Sequence, residues 1–333
     1  MIAFEYRTPK NLKEVHKNLK DFGSDGKLVA GGTALIIMMK QRLVRPSCLI
    51  SLRKVSGLNR ITLKKNGLAI GGLVTHRELE TSPLVRRRVP LLADTYRHVA
   101  TIRVRNMATV GGGLAHADPN QDPPPTLIAL GATAKATSAK GSRVIPMEDF
   151  FSDYYETVLQ PEEILTEINV PSLPTGSAGA FLKFLPRTAD DYATVSAAAV
   201  VTLDRSRKTF KDVRIALGSV GPTAIRAQEA EDILRGQPVK AEALREAGEK
   251  AKLAVDPISD FRGSAAYKKE MAGVFVRRAL EKALAGISKG PAAKAKTTRT
   301  KAKPKPKKKT KTRTKTKPKA RAGRKTAARG RRR

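Results

Sequence analysis

Two glycine-centred stretches hold the residues best suited to chemistry. Ala30-Gly31-Gly32-Thr33 follows the apolar run Leu28-Val29, and Thr109-Val110-Gly111-Gly112-Gly113 follows much later and leads into Ala117-Asp118-Pro119-Asn120-Gln121-Asp122-Pro123. Glycine lets backbone N–H groups approach a phosphate with no side chain in the way, and a neighbouring threonine hydroxyl adds a donor. Two such loops can grip a diphosphate from both sides, although a single Gly-Gly-Thr suits an ordinary turn equally well. Neither stretch is the Gly-x-Gly-x-x-Gly of a dinucleotide fold, and no Lys-Ser/Thr completes a P-loop.

Catalytic groups are sparse. His16, His76, His98 and His116 show no metal-ligand spacing, and no Gly-x-Ser-x-Gly elbow accompanies a triad. A chain that holds a diphosphate without supplying an acid, a base or a metal site delegates the chemistry to a cofactor.

The elements that must position these stretches read as α+β. A helix over 10–22, a strand at 27–30 and a helix from Thr33 to about Arg42 put the first loop between strand and helix. Short strands follow at 49–52, 61–63 and 68–72, the last two joined by the turn signal Lys65-Asn66-Gly67. Helices are expected at 75–80, 90–100 and 126–130, the last ended by Gly131, with a strand at 132–137. Beyond the Pro/Gly-rich stretch 171–179 come strands at 181–185, 194–203 and 213–220, then helices at 224–235, 241–254 and 267–285. Strands and helices segregate in this half, which marks α+β organisation.

With 333 residues and 40% hydrophobic content, the chain can bury more than one core. The formal charge of +35 is uneven, because about twenty of the cations fall after residue 288, where no acidic residue occurs. The single Cys48 excludes an internal disulfide or a cysteine-ligated cluster held by this chain alone. The N-terminus lacks the order of a signal peptide and no apolar run is long enough for a membrane span, so a cytoplasmic location is expected.

The ordered motifs carry a resemblance. Phe4-Glu5-Tyr6 with Pro9, Ala30 to Thr33, Arg105-Asn106-Met107-Ala108-Thr109-Val110-Gly111-Gly112, Ala115-His116-Ala117-Asp118-Pro119 with Asp122, Pro161 to Leu165, Asp191-Tyr192-Ala193 and Ile258-Ser259-Asp260-Phe261-Arg262-Gly263-Ser264 all take part. Over residues 1–285 the chain resembles the flavin-binding medium subunit of the molybdenum hydroxylases, the carbon monoxide dehydrogenase and xanthine dehydrogenase family. The resemblance implies a two-subdomain FAD-binding domain of the p-cresol methylhydroxylase type over 1–173, a small α+β C-terminal flavoprotein domain over 178–286 and a disordered basic tail over 287–333. It also implies an FAD-dependent oxidoreductase subunit that acts within a complex. Electrons would arrive from the [2Fe–2S] clusters of a small subunit and leave to an external acceptor, while a large molybdenum-cofactor subunit converts the substrate, in a dimer of heterotrimers.

Carried over residue by residue, the resemblance assigns Ala30, Gly31, Gly32, Thr33 and Ala34, with Thr109, Val110, Gly111, Gly112 and Gly113, to the FAD diphosphate. Asp122 falls on the ribose and adenine side, Lys183 and Tyr192 approach the isoalloxazine, and Ile164 or Leu165 walls the pocket. Ala34 and Gly113 stand where relatives carry polar side chains, so the grip leans on backbone. Without the resemblance, Asp122 reads as a turn cap, Lys183 as a solvated strand residue and Tyr192 as a core residue. Two other readings compete. The Lys/Arg-rich tail suits weak polyanion or nucleic-acid contact, although it has no interleaved aromatics for base stacking. A free-standing FAD oxidase needs a substrate-activating base that the sequence does not offer.

Overall fold

The computed structural model describes residues 2–185, 187–188 and 190–288, so the basic tail beyond Ser288 lies outside the described residues. The first lobe begins with β1 (Glu5–Arg7), α1 (Leu12–Phe22), β2 (Gly26–Val29), α2 (Leu35–Lys40) and β3 (Cys48–Ser51). Helix α1 starts where the Asn11 side chain accepts the Glu14 N–H at 3.0 Å, and it stops at Gly23, whose φ of 52° favours glycine. Its buried face, Val15 and Leu19, packs on Ile50 of the parallel sheet β1-β3-β2.

The second lobe contains β4 (Ile61–Lys64), β5 (Gly67–Gly71), α3 (His76–Thr81), α4 (Pro83–Arg88), α5 (Pro90–Arg97), α6 (Ile102–Met107), α7 (Val110–His116) and α8 (Pro123–Ala129). It closes with β6 (Thr133–Ser138), β7 (Gly141–Pro146), β8 (Phe151–Asp153), β9 (Glu156–Thr157) and β10 (Ile164–Pro171). The expected β4–β5 hairpin forms, with Gly67 at φ 151°. The five-stranded sheet runs β4-β5-β10-β6-β7, and all its pairings are antiparallel. Leu68, Ile70 and Ile168 from its inner face meet Leu79, Leu92, Tyr96, Leu114 and Leu127 from the helices in one core.

The third lobe is β11 (Ser177–Phe184), β12 (Val195–Leu203), β13 (Phe210–Gly218), β14 (Ile225–Arg226), α9 (Gln228–Leu234), α10 (Ala241–Ala251) and α11 (Ala265–Ser288). Every residue of β12 is buried. Its period-two alternation divides them: Ala198 and Val200 join the core that contains α8, while Ala197, Ala199 and Val201 join the core under α10 and α11. One strand thus belongs to two cores.

The architecture is α+β, as the sequence implied, with several boundaries corrected. The helix expected from Ala224 begins only at Gln228, because Ile225 and Arg226 pair with Leu217 and Ala216. The buried helix expected from Thr126 starts at Pro123, since proline suits a first turn that has no use for its missing N–H. The helix after the first glycine loop shortens to Leu35–Lys40. The second glycine stretch is not a loop: Val110 to Gly113 are the first turn of α7.

Candidate functional site

The first glycine stretch, Ala30 to Ala34, joins β2 to α2 and is half-buried throughout. Gly31 lies on the backbone that precedes the second stretch, so closely that a Cβ there would stand 2.0 Å from the Met107 carbonyl oxygen. Gly32 takes φ 72°, which L side chains rarely adopt. The N–H groups of Gly31, Gly32, Thr33, Ala34 and Leu35 meet no hydrogen-bond acceptor among the described residues. Ala34 precedes α2 without a capping side chain. A run of unpartnered amides at the entry to a helix is a receptor for an anionic oxygen.

The second stretch behaves differently. Thr109 caps α7 by accepting the Gly112 N–H on its hydroxyl at 3.1 Å, and its carbonyl accepts the Gly113 N–H at 2.9 Å. The Val110 N–H donates to the Val74 carbonyl and the Gly111 N–H to the Gly72 carbonyl, each at 2.9 Å. All four amides are therefore engaged inside the protein, contrary to the expectation of two donor-rich loops. The glycine at 111 serves packing, because a Cβ there would stand 2.8 Å from the Gly72 carbonyl oxygen. Gly112 is exposed and lies beside Ala30, so the two stretches form one cradle with a donor-rich wall and a smooth one.

Asp122 and Lys183 face each other across the lobes. The Lys183 ammonium donates to Asp122 Oδ2 at 2.8 Å and to the His98 carbonyl at 3.1 Å, with both charged side chains almost fully buried. Three prolines follow Asp122, so the start of α8 offers no N–H at those positions and the carboxylate makes no capping bond. Burial pushes the Asp122 carboxyl up to about 6, against the pull of Lys183 in the other direction. Its second oxygen is buried without a partner. The sequence reading places these residues at opposite ends of an FAD; the structure brings them into contact with each other.

Tyr192 is 46% exposed and donates its hydroxyl to Asp118 Oδ2 at 2.8 Å. Burial and the Asp118 carboxylate raise its phenol well above the ordinary tyrosine range. The Arg262 guanidinium lies 5.6 Å from its ring centroid. Ile164 points away from this group into the first-lobe core with Val15, Leu19 and Ile50, whereas Leu165 belongs to the second-lobe core.

Residues 2–173 match the family of the FAD binding domain in molybdopterin dehydrogenase, and residues 180–283 match the CO dehydrogenase flavoprotein C-terminal domain. The chain belongs to this flavoprotein family. It is 38% identical to the carbon monoxide dehydrogenase medium chain of Hydrogenophaga pseudoflava over 85% of this chain and 97% of that one. It is 36% identical to subunit alpha of the 6-hydroxypseudooxynicotine dehydrogenase complex of Paenarthrobacter nicotinovorans, over 85% and 95% of the two chains. A solved carbon monoxide dehydrogenase from Hydrogenophaga pseudoflava, lacking the Mo-pyranopterin moiety of its molybdenum cofactor, superposes with a TM-score of 0.83 at 39% identity, covering 86% of this chain and 99% of that one.

This flavoprotein subunit of an oxidoreductase binds FAD, and the cradle fits it. Five unpartnered amides suit an anionic diphosphate, and glycine at 31 and 32 keeps the wall free of side chains. The sequence reading missed the group that braces the cradle from behind. Arg105 donates to buried Glu80 at 3.0 Å and to the carbonyls of Val99 and Ala100 at 2.9 and 2.6 Å. His76 is buried beside Thr109, with its Nε2 3.2 Å from the Thr109 carbonyl oxygen, and burial lowers its imidazole to about 4. The signal for this brace was present only as the capping-box spacing of Thr75 and Glu78, which starts α3 and so directs His76 and Glu80 inward.

Proposed function

We propose that this subunit is the electron relay of a molybdenum hydroxylase complex. It takes electrons from the [2Fe–2S] clusters of a small subunit and passes them to an external acceptor, while a large molybdenum-cofactor subunit acts on the substrate. A flavin supplies the required chemistry, since it exchanges electrons singly or in pairs. The chain's own residues bind and orient it: the amides of Gly31 to Leu35 hold the diphosphate, Gly112 and Gly113 leave room beside them, and Tyr192 shields the ring system, with its hydroxyl anchored on Asp118. Lys183 and Asp122 act through each other, fixing the third lobe against the second beside the cradle.

The observation that carries this reading is that titratable side chains around the cradle are engaged elsewhere. His76 is neutral and tied to Thr109, and Asp122 is paired with Lys183. A site whose buried His76 and Asp122 are both occupied suits electron relay better than a free-standing oxidase. The reading includes the division into 1–173, 178–286 and 287–333, a dimer of heterotrimers in the cytoplasm, and a tail that makes at most weak polyanion contact. Among the described residues no helix is long and apolar enough to cross a membrane.

The test is to purify the full chain with its co-expressed partners and record the visible spectrum before and after reduction through the iron–sulfur subunit. A flavin band that bleaches only when that subunit is present is expected. A complex that lacks flavin and takes up no added FAD overturns the reading. Removal of residues 289–333 is expected to leave both flavin content and assembly unchanged.

A further inference from the structure

The five-stranded sheet has a second face, turned away from the helices, and it gathers charge. Register places Arg60 beside Gly71, Gly71 opposite Glu167 and Glu167 opposite Lys135. Ile70, Ile168 and Ala134 alternate with this row and point the other way, into the core shared with the helices. Strand β10 carries a bulge between Leu165 and Glu167, where the Thr166 hydroxyl donates to the Lys135 carbonyl at 3.1 Å. A bulge bends its strand and deepens the local twist, so the face is hollowed there. The hollow is a groove of about 640 Å³, bounded by Gly57 and Leu58 on one side and the tip of the β6–β7 hairpin on the other. Gly71 belongs to its floor, and a Cβ at that position would stand 2.1 Å from the Leu58 carbonyl oxygen.

Arg60, Lys64, Lys135 and Lys140 line this groove against a single carboxylate, Glu167. Among the described residues none of these four side chains forms an ion pair or a hydrogen bond with the protein, although Lys135 is half-buried. Arg143 on the neighbouring strand β7 behaves otherwise, donating to both Glu163 oxygens at 2.7 and 2.8 Å. Cations gathered with so little compensation repel one another and focus a positive potential in the hollow, which a bound anion offsets. Arg60 and Lys135 stand three strand spacings apart, about 14 Å, so a ligand between them meets positive charge from two sides. The lining holds no exposed large apolar or aromatic side chain of the kind that centres a protein interface, which favours a small anion over a partner chain.

We propose that this groove is a binding site for a small anion carrying a chain of phosphates, whether inorganic oligophosphate or the phosphate end of a nucleotide. Four cations around one hollow match several closely spaced negative charges, which a lone carboxylate does not supply. A guanidinium meets phosphate oxygens in pairs, and ammonium groups hold them as point charges. The volume falls within the range of small-molecule sites. With no aromatic ring in the lining to stack on a base, the phosphates are the part that is recognised. The site is separate from the FAD cradle: Leu114 of α7, the helix whose first turn is the smooth wall, packs in the core on the opposite face of the sheet. It therefore stands independently of the relay reading.

The test titrates tripolyphosphate, and separately ATP, into the full chain loaded with FAD, by calorimetry with the flavin spectrum recorded alongside. Saturable binding is expected, weakened about tenfold or more by Arg60→Gln and by Lys135→Gln, and strengthened by Glu167→Gln, which removes the one carboxylate. Lys140→Gln, on the exposed hairpin tip, repeats the measurement without altering the body of the sheet. The basic tail is the same in every variant, so anion held only by the tail shows equal affinity throughout, and that result overturns the proposal. Equal affinity for the two ligands assigns the site to a bare phosphate chain and tighter ATP binding assigns it to a nucleotide; both support the proposal when the variants respond. Loss of the flavin band as tripolyphosphate is added places the anion in the cradle instead, and hexaglutamate binding more tightly than tripolyphosphate with the same response to the variants assigns the groove to an acidic peptide. Either result, or no binding at all, overturns the proposal.

Discussion

Two buried residues near the cradle, Asp122 and His76, shift in opposite senses on folding. Burial raises the Asp122 carboxyl from 3.8 to about 6, so between these values the folded chain keeps a proton that the unfolded chain has released. Its contribution to stability therefore falls as pH rises through that window, by roughly 3 kcal/mol. Burial lowers His76 from 6.5 to about 4, so there the unfolded chain holds the extra proton, and stability rises with pH by a similar amount, roughly 3 kcal/mol. The two slopes oppose each other between pH 4 and 6. Asp122→Asn is expected to make the melting temperature climb more steeply with pH in that range, and His76→Asn to reverse its slope; thermal melts across a pH series check both. Profiles parallel to wild type would sink the assignment. Lys183→Met leaves Asp122 buried without its cation. It is expected to cost about 3–5 kcal/mol in urea unfolding at pH 8 and far less at pH 5, where the carboxyl can take up a proton.

At the scale of elements, the glycines of the cradle divide into those that bind and those that pack. Gly111→Ala places a Cβ 2.8 Å from the Gly72 carbonyl oxygen, so α7 has to move off the turn that follows β5. A loss of about 1–3 kcal/mol is expected, seen as a lower urea midpoint at unchanged slope. Gly31→Ala meets the Met107 carbonyl oxygen at 2.0 Å and displaces the amides of the first stretch, so FAD affinity should fall more than about tenfold in a fluorescence titration. This difference between the stretches was not legible in the sequence, where both are glycines beside a threonine. Four successive valine and glycine positions are poor helix formers, and the Thr109 cap and the contact with Gly72 help keep Val110 to Gly113 helical. The β4–β5 hairpin was legible because Asn66-Gly67 is a local signal. Strand β10 was not, because its place between β5 and β6 depends on partners far away along the chain.

At the scale of the whole molecule, β12 ties two cores into one unit. Ala198 and Ala199 are both fully buried, on opposite faces of the same strand. Ala198→Leu and Ala199→Leu overfill different cores, and each is expected to cost about 1–3 kcal/mol. Both should lower a single transition on which near-UV and far-UV dichroism coincide; two separated transitions would show that the shared strand does not couple the cores. Such sharing was partly legible in the sequence: the apolar run from Ala197 to Val201 suits a strand covered on both faces, though it does not say by what.

The contact between Asp122 and Lys183 also bears on how the protein could be recombined with its relatives. Its carboxylate comes from the end of the chain made first and its ammonium from the end made later, and the three prolines after Asp122 leave the start of α8 no N–H to substitute for the cation. A fragment ending at residue 173 would leave that carboxylate in water, where it is ionised at little cost, and would forfeit the surface that β12 to β14 cover on α8. The lobes are thus not free cassettes. A chimera joining the first 173 residues of this chain to the C-terminal lobe of another family member will retain native stability only where that lobe brings a cation in register with Lys183.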